Sequence, residues 1–90
     1  MEITDIKIRR LTDSPKMKAI VSVTFDDEFV IHDIKIIEGQ DKKFLAMPSR
    51  KLPNGAYSDI VHPTKSSLRS KIEEAVLTEY ERYTQGYFEN

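Results

Sequence analysis

Basic side chains in stretches free of acids are the residues of this sequence whose types and spacing best suit a chemical role. Neither residues 42–58 nor residues 64–72 contain Asp or Glu, although the 90-residue chain has a formal net charge of −1. The distribution of charge, rather than its sum, decides whether a protein attracts a polyanion. We therefore take the cations of these stretches as candidate phosphate contacts, with the first two as a secondary basic patch: Lys42, Lys43, Arg50, Lys51, Lys65, Arg69 and Lys71.

The second stretch falls where a helix is expected to begin. A helix N-terminus carries about half a positive charge and unpaired N–H groups, so it favours acids over cations. Here Lys65, Arg69 and Lys71 lie in and around the first turns. A phosphate bound at the helix start, with Ser66 and Ser67 as added donors, explains this charge order. The alternative is a solvated helix face paired to nearby acids.

Arg50 and Lys51 lie between Pro48 and Pro53, where we expect a solvent-exposed loop. Arg can engage a phosphate or a guanine edge through two parallel hydrogen bonds, whereas Lys acts as a point charge. Tyr57 lies nearby and could stack on a base, as aromatic residues do in proteins that bind single strands. The alternatives are surface charges that only aid solubility, and a tyrosine in the core or at its rim.

No set of residues in the sequence matches a catalytic or metal site. Cys is absent, and the two histidines, His32 and His62, lack the spacing of paired metal ligands. The serines lack a G-x-S-x-G context, and no G-x-x-x-x-G-K-[ST] loop is present. We therefore expect no catalytic residue, no metal, no cofactor and no small-molecule substrate, and we do not expect an enzyme.

The positions of these residues depend on a predicted sheet. Alternation of apolar and polar residues, with many β-branched residues, predicts strands over residues 2–11, 17–25, 29–37 and 43–47. Two prolines and the Asn54-Gly55 pair predict a loop or an irregular hairpin over residues 48–58. Residues 59–62 are a candidate for a further short strand. The result is an antiparallel sheet of about four to five strands.

A helix is predicted after the sheet. From Ser66 or Ser67 the apolar residues recur at helical spacing as far as about residue 84, and Gly86 is the expected stop. Thr64, Ser66 and Ser67 are all competent N-cap residues. Strands followed by one C-terminal helix predict an α+β fold in a single domain over residues 1–90.

The isoleucines of the third strand raise the question of a partner subunit. Ile34, Ile36 and Ile37 cannot all face one side of a regular strand, and a chain this small has a thin core. We favour a homodimer that covers part of the apolar surface. The alternative is a β-bulge that re-aims one isoleucine.

Apolar residues give no sign of a membrane segment. No apolar run approaches the roughly 18 residues needed to span a bilayer, and the first ten residues alternate instead of forming the core of a signal peptide. We therefore expect a cytoplasmic protein without a membrane partner.

Four segments of the sequence follow one another with an order and spacing found in a known family. They are FVIHDIKII at 29–37, AMPS with two basic residues at 46–51, D-I-x-H-P at 59–63 and SLRSKIEEAVLTEY at 67–80. Through them the chain resembles the stage V sporulation protein G family, SpoVG, over nearly its whole length.

The resemblance implies a function and a set of contacts. It implies a homodimeric regulator linked to septation, cell division and sporulation, which binds DNA, and in some members RNA, and whose sheet extends through the dimer. The family's nucleic-acid contacts match Arg50, Lys51, Lys65, Arg69 and Lys71 here. The alternative function is a protein-interaction adaptor of the division septum that works through its sheet edge or the acidic end of its helix.

Overall fold

Six strands and one helix build the fold, which belongs to the predicted α+β class. The computed structural model describes residues 1–88, with side chains described as far as Gln85. Strands β1 to β4 form one antiparallel sheet in chain order, and β5 and β6 form a separate two-stranded sheet. The elements are β1 (Ile3–Leu11), β2 (Met17–Phe25), β3 (Phe29–Glu38), β4 (Lys43–Ala46), β5 (Ser49–Lys51), β6 (Tyr57–Asp59) and α1 (Ser66–Phe88).

The core lies between α1 and one face of the four-stranded sheet. Alternate residues of β2, from Ala19 to Phe25, are almost completely buried, as the period of two predicts. Ile72 and Val76, four residues apart on α1, pack against them. Burying one such aliphatic side chain contributes roughly 1.5–3 kcal/mol, so this row of contacts fixes the helix to the sheet.

A β-bulge in β3 decides how its isoleucines are divided between the faces. Opposite Ser22 of β2, β3 has two residues instead of one. Asp33, at this position, has a φ of 63°, a left-handed conformation that Asp adopts more readily than a β-branched residue. Because of the extra residue, Ile31 and Ile34 both pack on the core, whereas Ile37 is half-buried outside it. The isoleucines therefore do not by themselves require a partner subunit.

Two predicted boundaries are wrong. The helix runs to Phe88, so Gly86 does not end it. Glycine inside a helix costs only about 1 kcal/mol relative to alanine, which is too little to terminate a helix by itself. Strand structure near the end of the hairpin covers Tyr57–Asp59 rather than residues 59–62.

Within residues 1–88, α1 contains no apolar stretch of the length that a membrane span requires.

Candidate nucleic-acid interface

The basic segment after β4 is a hairpin, the second of the two structures predicted for it. Its tip is closed by two backbone hydrogen bonds, from Leu52 N to Ala56 O at 2.7 Å and from Gly55 N to Leu52 O at 2.9 Å. Gly55 has a φ of 90°, which glycine adopts without a steric penalty. Arg50 and Lys51 lie on β5, one arm of this hairpin, and both are exposed.

Arg50 and Lys51 point to opposite faces of the hairpin. Successive side chains of a strand alternate between its faces. Arg50 pairs with Ser58 across the hairpin, and Lys51 pairs with Tyr57. A ligand lying on one face of the hairpin therefore meets either Arg50 or the pair of Lys51 and Tyr57.

Lys51 and Tyr57 form a close cross-strand pair. Ile60 N donates to Pro48 O at 2.7 Å, and nearer the tip Leu52 N donates to Ala56 O. Hydrogen-bonded and non-hydrogen-bonded pairs alternate along an antiparallel ladder, so Lys51 and Tyr57 occupy a non-hydrogen-bonded pair, in which side chains are closer.

The exposure of Tyr57 bears on what this pair can do. Its side chain is 70% exposed, which excludes a place in the core. An exposed aromatic ring beside a cation is the arrangement on which single-stranded bases stack.

Lys65 forms the N-cap of α1. Its carbonyl oxygen accepts the first helical hydrogen bond, from Arg69 N at 3.1 Å. The first turn contains no acidic residue. Among the described residues, no side-chain oxygen of Thr64, Ser66 or Ser67 accepts a hydrogen bond from an N–H group of this helix start, so the predicted serine and threonine caps are not formed. The first N–H groups of α1 therefore remain open to solvent or to an anion.

Lys71 differs from the other cations of the helix start. Its Nζ donates to the carbonyl oxygen of Met1 at 3.0 Å, which ties α1 to the beginning of the chain. The same groove between β1 and α1 contains Asp26 and Glu74. Lys71 thus has a structural contact and nearby acids, which makes it a weaker candidate for a phosphate contact than Lys65.

Lys42 and Lys43 lie away from the helix start. They border the C-terminal half of α1 beside Tyr80 and Glu81. Lys43 is paired with Glu38 at 3.4 Å. At 1.5 Å per residue, the helical segment from residue 71 to residue 81 spans about 15 Å, so one subunit does not unite these lysines with the cations of the helix start.

Few cations of the described chain are neutralised. The ion pairs within it are Lys43–Glu38 and Arg82–Glu79. The alternative prediction was that the cations of the site form ion pairs with nearby acids. Within the described chain, no such pair is observed for four of these cations: Arg50, Lys51, Lys65 and Arg69.

A further basic group lies on the sheet face opposite α1, which we call the open face. Lys7 and Arg10 of β1 pair with Ser22 and Ile20, the residues of β2 that alternate with the core row. Lys35 of β3 also pairs with Ile20. Alternation alone predicts this placement for Lys7 and Lys35, whereas Arg10 reaches the open face through the register shift between Ile8 and Arg10.

The fold and the candidate site together define a class. This is a small α+β protein with a basic hairpin, an uncapped basic helix start and a sheet whose second face is not covered by its own helix.

Comparison with known proteins identifies the family to which the chain belongs. The family model described as SpoVG matches residues 1–82, and the chain belongs to the SpoVG family. A relative from Clostridium acetobutylicum is 61% identical over 82 residues, covering 91% of this chain and 86% of the relative. A relative from Alkaliphilus oremlandii is 62% identical over the same length, covering 91% and 88%. Both are named "Putative septation protein SpoVG".

Proposed function

We propose that this chain is a regulatory protein that binds nucleic acid, DNA or RNA, in the cytoplasm and catalyses no reaction. The observation that carries the proposal is the set of basic side chains on the hairpin and at the helix start that have no acidic partner in the described chain. Cations left unpaired in this way release counterions when they meet phosphates, which is the main source of affinity for nucleic acids.

The named relatives suggest the process that such a regulator serves. Two of them are called septation proteins. We therefore propose a role in septation and cell division, and in the control of sporulation or gene expression, exercised through the bound nucleic acid.

We also propose that the protein acts as a homodimer with a sheet that continues into the partner. β4 pairs with β3 only from Lys35 to Glu38, so within the described chain the first half of β3 lacks a strand on that side. Phe29 and Val30, in this half, are 51% and 42% exposed. Unpaired backbone groups beside exposed apolar side chains favour strand addition. A two-fold axis would then double the number of basic hairpins available to one nucleic acid.

Charge reversal in the hairpin tests the proposed function. The variant R50E/K51E should lose binding of a labelled DNA duplex and of the corresponding single strand, measured by fluorescence anisotropy at about 0.1 M salt, where screening acts over about 10 Å. The matched control is K16E/R82E, which changes the net charge equally at residues outside the candidate site. Equal binding by the two double variants would contradict the proposal.

The second candidate is a protein-interaction adaptor of the division septum. The observation in its favour is exposed apolar surface on the sheet, of which Phe44 at 40% exposed is an example. An adaptor working through its sheet should tolerate R50E/K51E and bind its protein partner as the unaltered chain does. Loss of nucleic-acid binding in this variant favours the regulator instead.

A further inference from the structure

Ser22 is a buried polar residue on the open face of the sheet. It is only 2% exposed, yet its Oγ contacts two exposed side chains. Arg9 Nε donates to Ser22 Oγ at 3.1 Å, and His32 Nδ1 lies 2.8 Å from the same oxygen. One hydroxyl in the central part of the sheet thus joins side chains from β1 and β3.

The hydrogen-bonding roles in this trio follow from the chemistry of the groups. Arg9 Nε can only donate, so Ser22 Oγ accepts there and can give its own hydrogen to His32 Nδ1. In that arrangement His32 carries its N–H at Nε2, which is directed away from Ser22. The terminal nitrogens of Arg9 have no partner in the described chain and remain free to donate two parallel hydrogen bonds.

The surroundings of the trio are strongly basic. Lys7, Arg10 and Lys35 share the open face with Arg9, and all are exposed and without an ion pair in the described chain. Asp5 pairs with Thr24 of β2 and therefore also lies on the open face. Asp33 lies in the bulge of β3, beside His32. Cations from two strands therefore outnumber the acids.

An aromatic side chain borders this basic area. Ile37 lies two residues beyond Lys35 and hence on the same face. Phe44 pairs with Ile37 and is 40% exposed. A ring in this position can stack on a base while the cations hold the backbone.

We propose that the open face is a second nucleic-acid surface, which binds the phosphate backbone of a strand through Arg9, His32 and the neighbouring cations, with Ser22 as a positioning residue. This proposal rests on the proposed function, because the ligand is the same nucleic acid, which would contact the sheet as well as the hairpin. Arg9 Nε and His32 Nδ1 lie 3.1 and 2.8 Å from the same atom, Ser22 Oγ, so the two side chains are close enough to meet a short stretch of backbone together.

Charge favours a nucleic acid over a second copy of the chain as the occupant of this face. Two copies packed face to face would oppose like charges, which costs association free energy. A polyanion meets the same cations with complementary charge.

Single-residue variants test this surface. Arg9→Gln and Lys35→Gln should each weaken binding of a labelled single-stranded oligonucleotide by roughly five- to thirty-fold, the effect expected of one lost charge-assisted hydrogen bond or pair. Each should also lower the slope of log K against log salt by about 0.7 for a single strand. The control is Arg82→Gln, which removes one charge from α1, on the other side of the sheet.

Ser22 is tested separately because its role is indirect. Ser22→Ala should weaken binding several-fold while leaving the salt slope unchanged, since every cation is still present. Ser22→Thr keeps the hydroxyl and should restore binding. A loss of stability alone, with unchanged affinity, would show that Ser22 is only structural.

The outcomes separate this proposal from the proposed function. If the unaltered chain binds no oligonucleotide, both fail. If it binds, and R50E/K51E abolishes binding while Arg9→Gln and Lys35→Gln behave as Arg82→Gln, only the open-face proposal fails. If the two variants change the sedimentation mass rather than affinity, the face is a contact between subunits and the proposal is overturned.

Discussion

Lys51 and Tyr57 face each other across the β5–β6 hairpin in a pair that exchanges no backbone hydrogen bonds. If this pair binds a base and its phosphate, Tyr57→Ala should cost about 1–3 kcal/mol of binding free energy for a single-stranded oligonucleotide. Tyr57→Phe keeps the ring and should bind normally. Fluorescence anisotropy measures the affinities.

The control for Tyr57 is another exposed tyrosine. Tyr83 lies on α1 and is 43% exposed. Tyr83→Ala should leave affinity unchanged, and Tyr57→Ala should leave the thermal midpoint nearly unchanged because its ring is mostly solvated. Equal affinity of Tyr57→Ala and the unaltered chain for the oligonucleotide would show that Tyr57 does not stack on a base.

Arg50 and Lys65 should affect binding in different ways. Arg50 projects from the other face of the hairpin and can reach a base edge with two hydrogen bonds. Lys65, at the N-cap of α1, meets a phosphate as a point charge. Arg50→Ala should narrow the difference in affinity between preferred and non-preferred sequences, whereas Lys65→Ala should weaken all sequences alike. Filter binding over a salt titration compares them, and identical behaviour would refute this division.

Lys65 also allows stability and binding to be changed in opposite directions. A lysine at the N-cap cannot accept a hydrogen bond from the open N–H groups of the first turn, whereas serine can. Lys65→Ser should therefore raise the free energy of unfolding by about 1 kcal/mol, seen in urea denaturation. The same variant should bind nucleic acid more weakly. A variant that is both less stable and weaker in binding would show that residue 65 does not occupy the N-cap position of α1.

The turn between β2 and β3 offers a test of the fold alone. Asp26 and Asp27 both have a φ of 54°, and Glu28 N donates to Phe25 O at 2.9 Å, which together describe a type I′ turn. Glycine is favoured in such turns. Asp27→Gly should stabilise the protein by roughly 0.5–1 kcal/mol, because the left-handed conformation strains a side chain more than glycine. A lowered urea midpoint would contradict this assignment of the turn.

The strands of the main sheet were predictable because each is determined by the alternation of apolar and polar residues within its own segment. The alternation in β2 predicts which residues meet the helix, and the observed core row follows it. The end of the helix was not predictable in the same way. Gly86 stays helical because its intrinsic cost is small beside the gain from continuing the backbone hydrogen bonds.

The placement of side chains in the candidate site depends on how the strands pair, which residue types alone do not specify. Arg50 and Lys51 could be singled out from the sequence, but their segment was predicted only as a loop or an irregular hairpin. The register of β5 with β6 shows that the two side chains face opposite ways. His32 reaches Ser22 only because of the extra residue in β3, and a register shift of β1 falls at Arg9. A regular period of two cannot express such an extra residue, so pattern alone did not bring these side chains together.

The most direct test of the central claim is the salt dependence of binding to a DNA duplex. We predict measurable binding at low salt and a linear fall of log K with log salt. Replacing Arg50, Lys51, Lys65 and Arg69 together by Gln should reduce the slope by about 2 to 3, since each phosphate contact contributes about 0.9 and Arg50 and Lys51 point to opposite faces of the hairpin. An unchanged slope in this variant, or no binding by the unaltered chain at the lowest salt, would contradict the account.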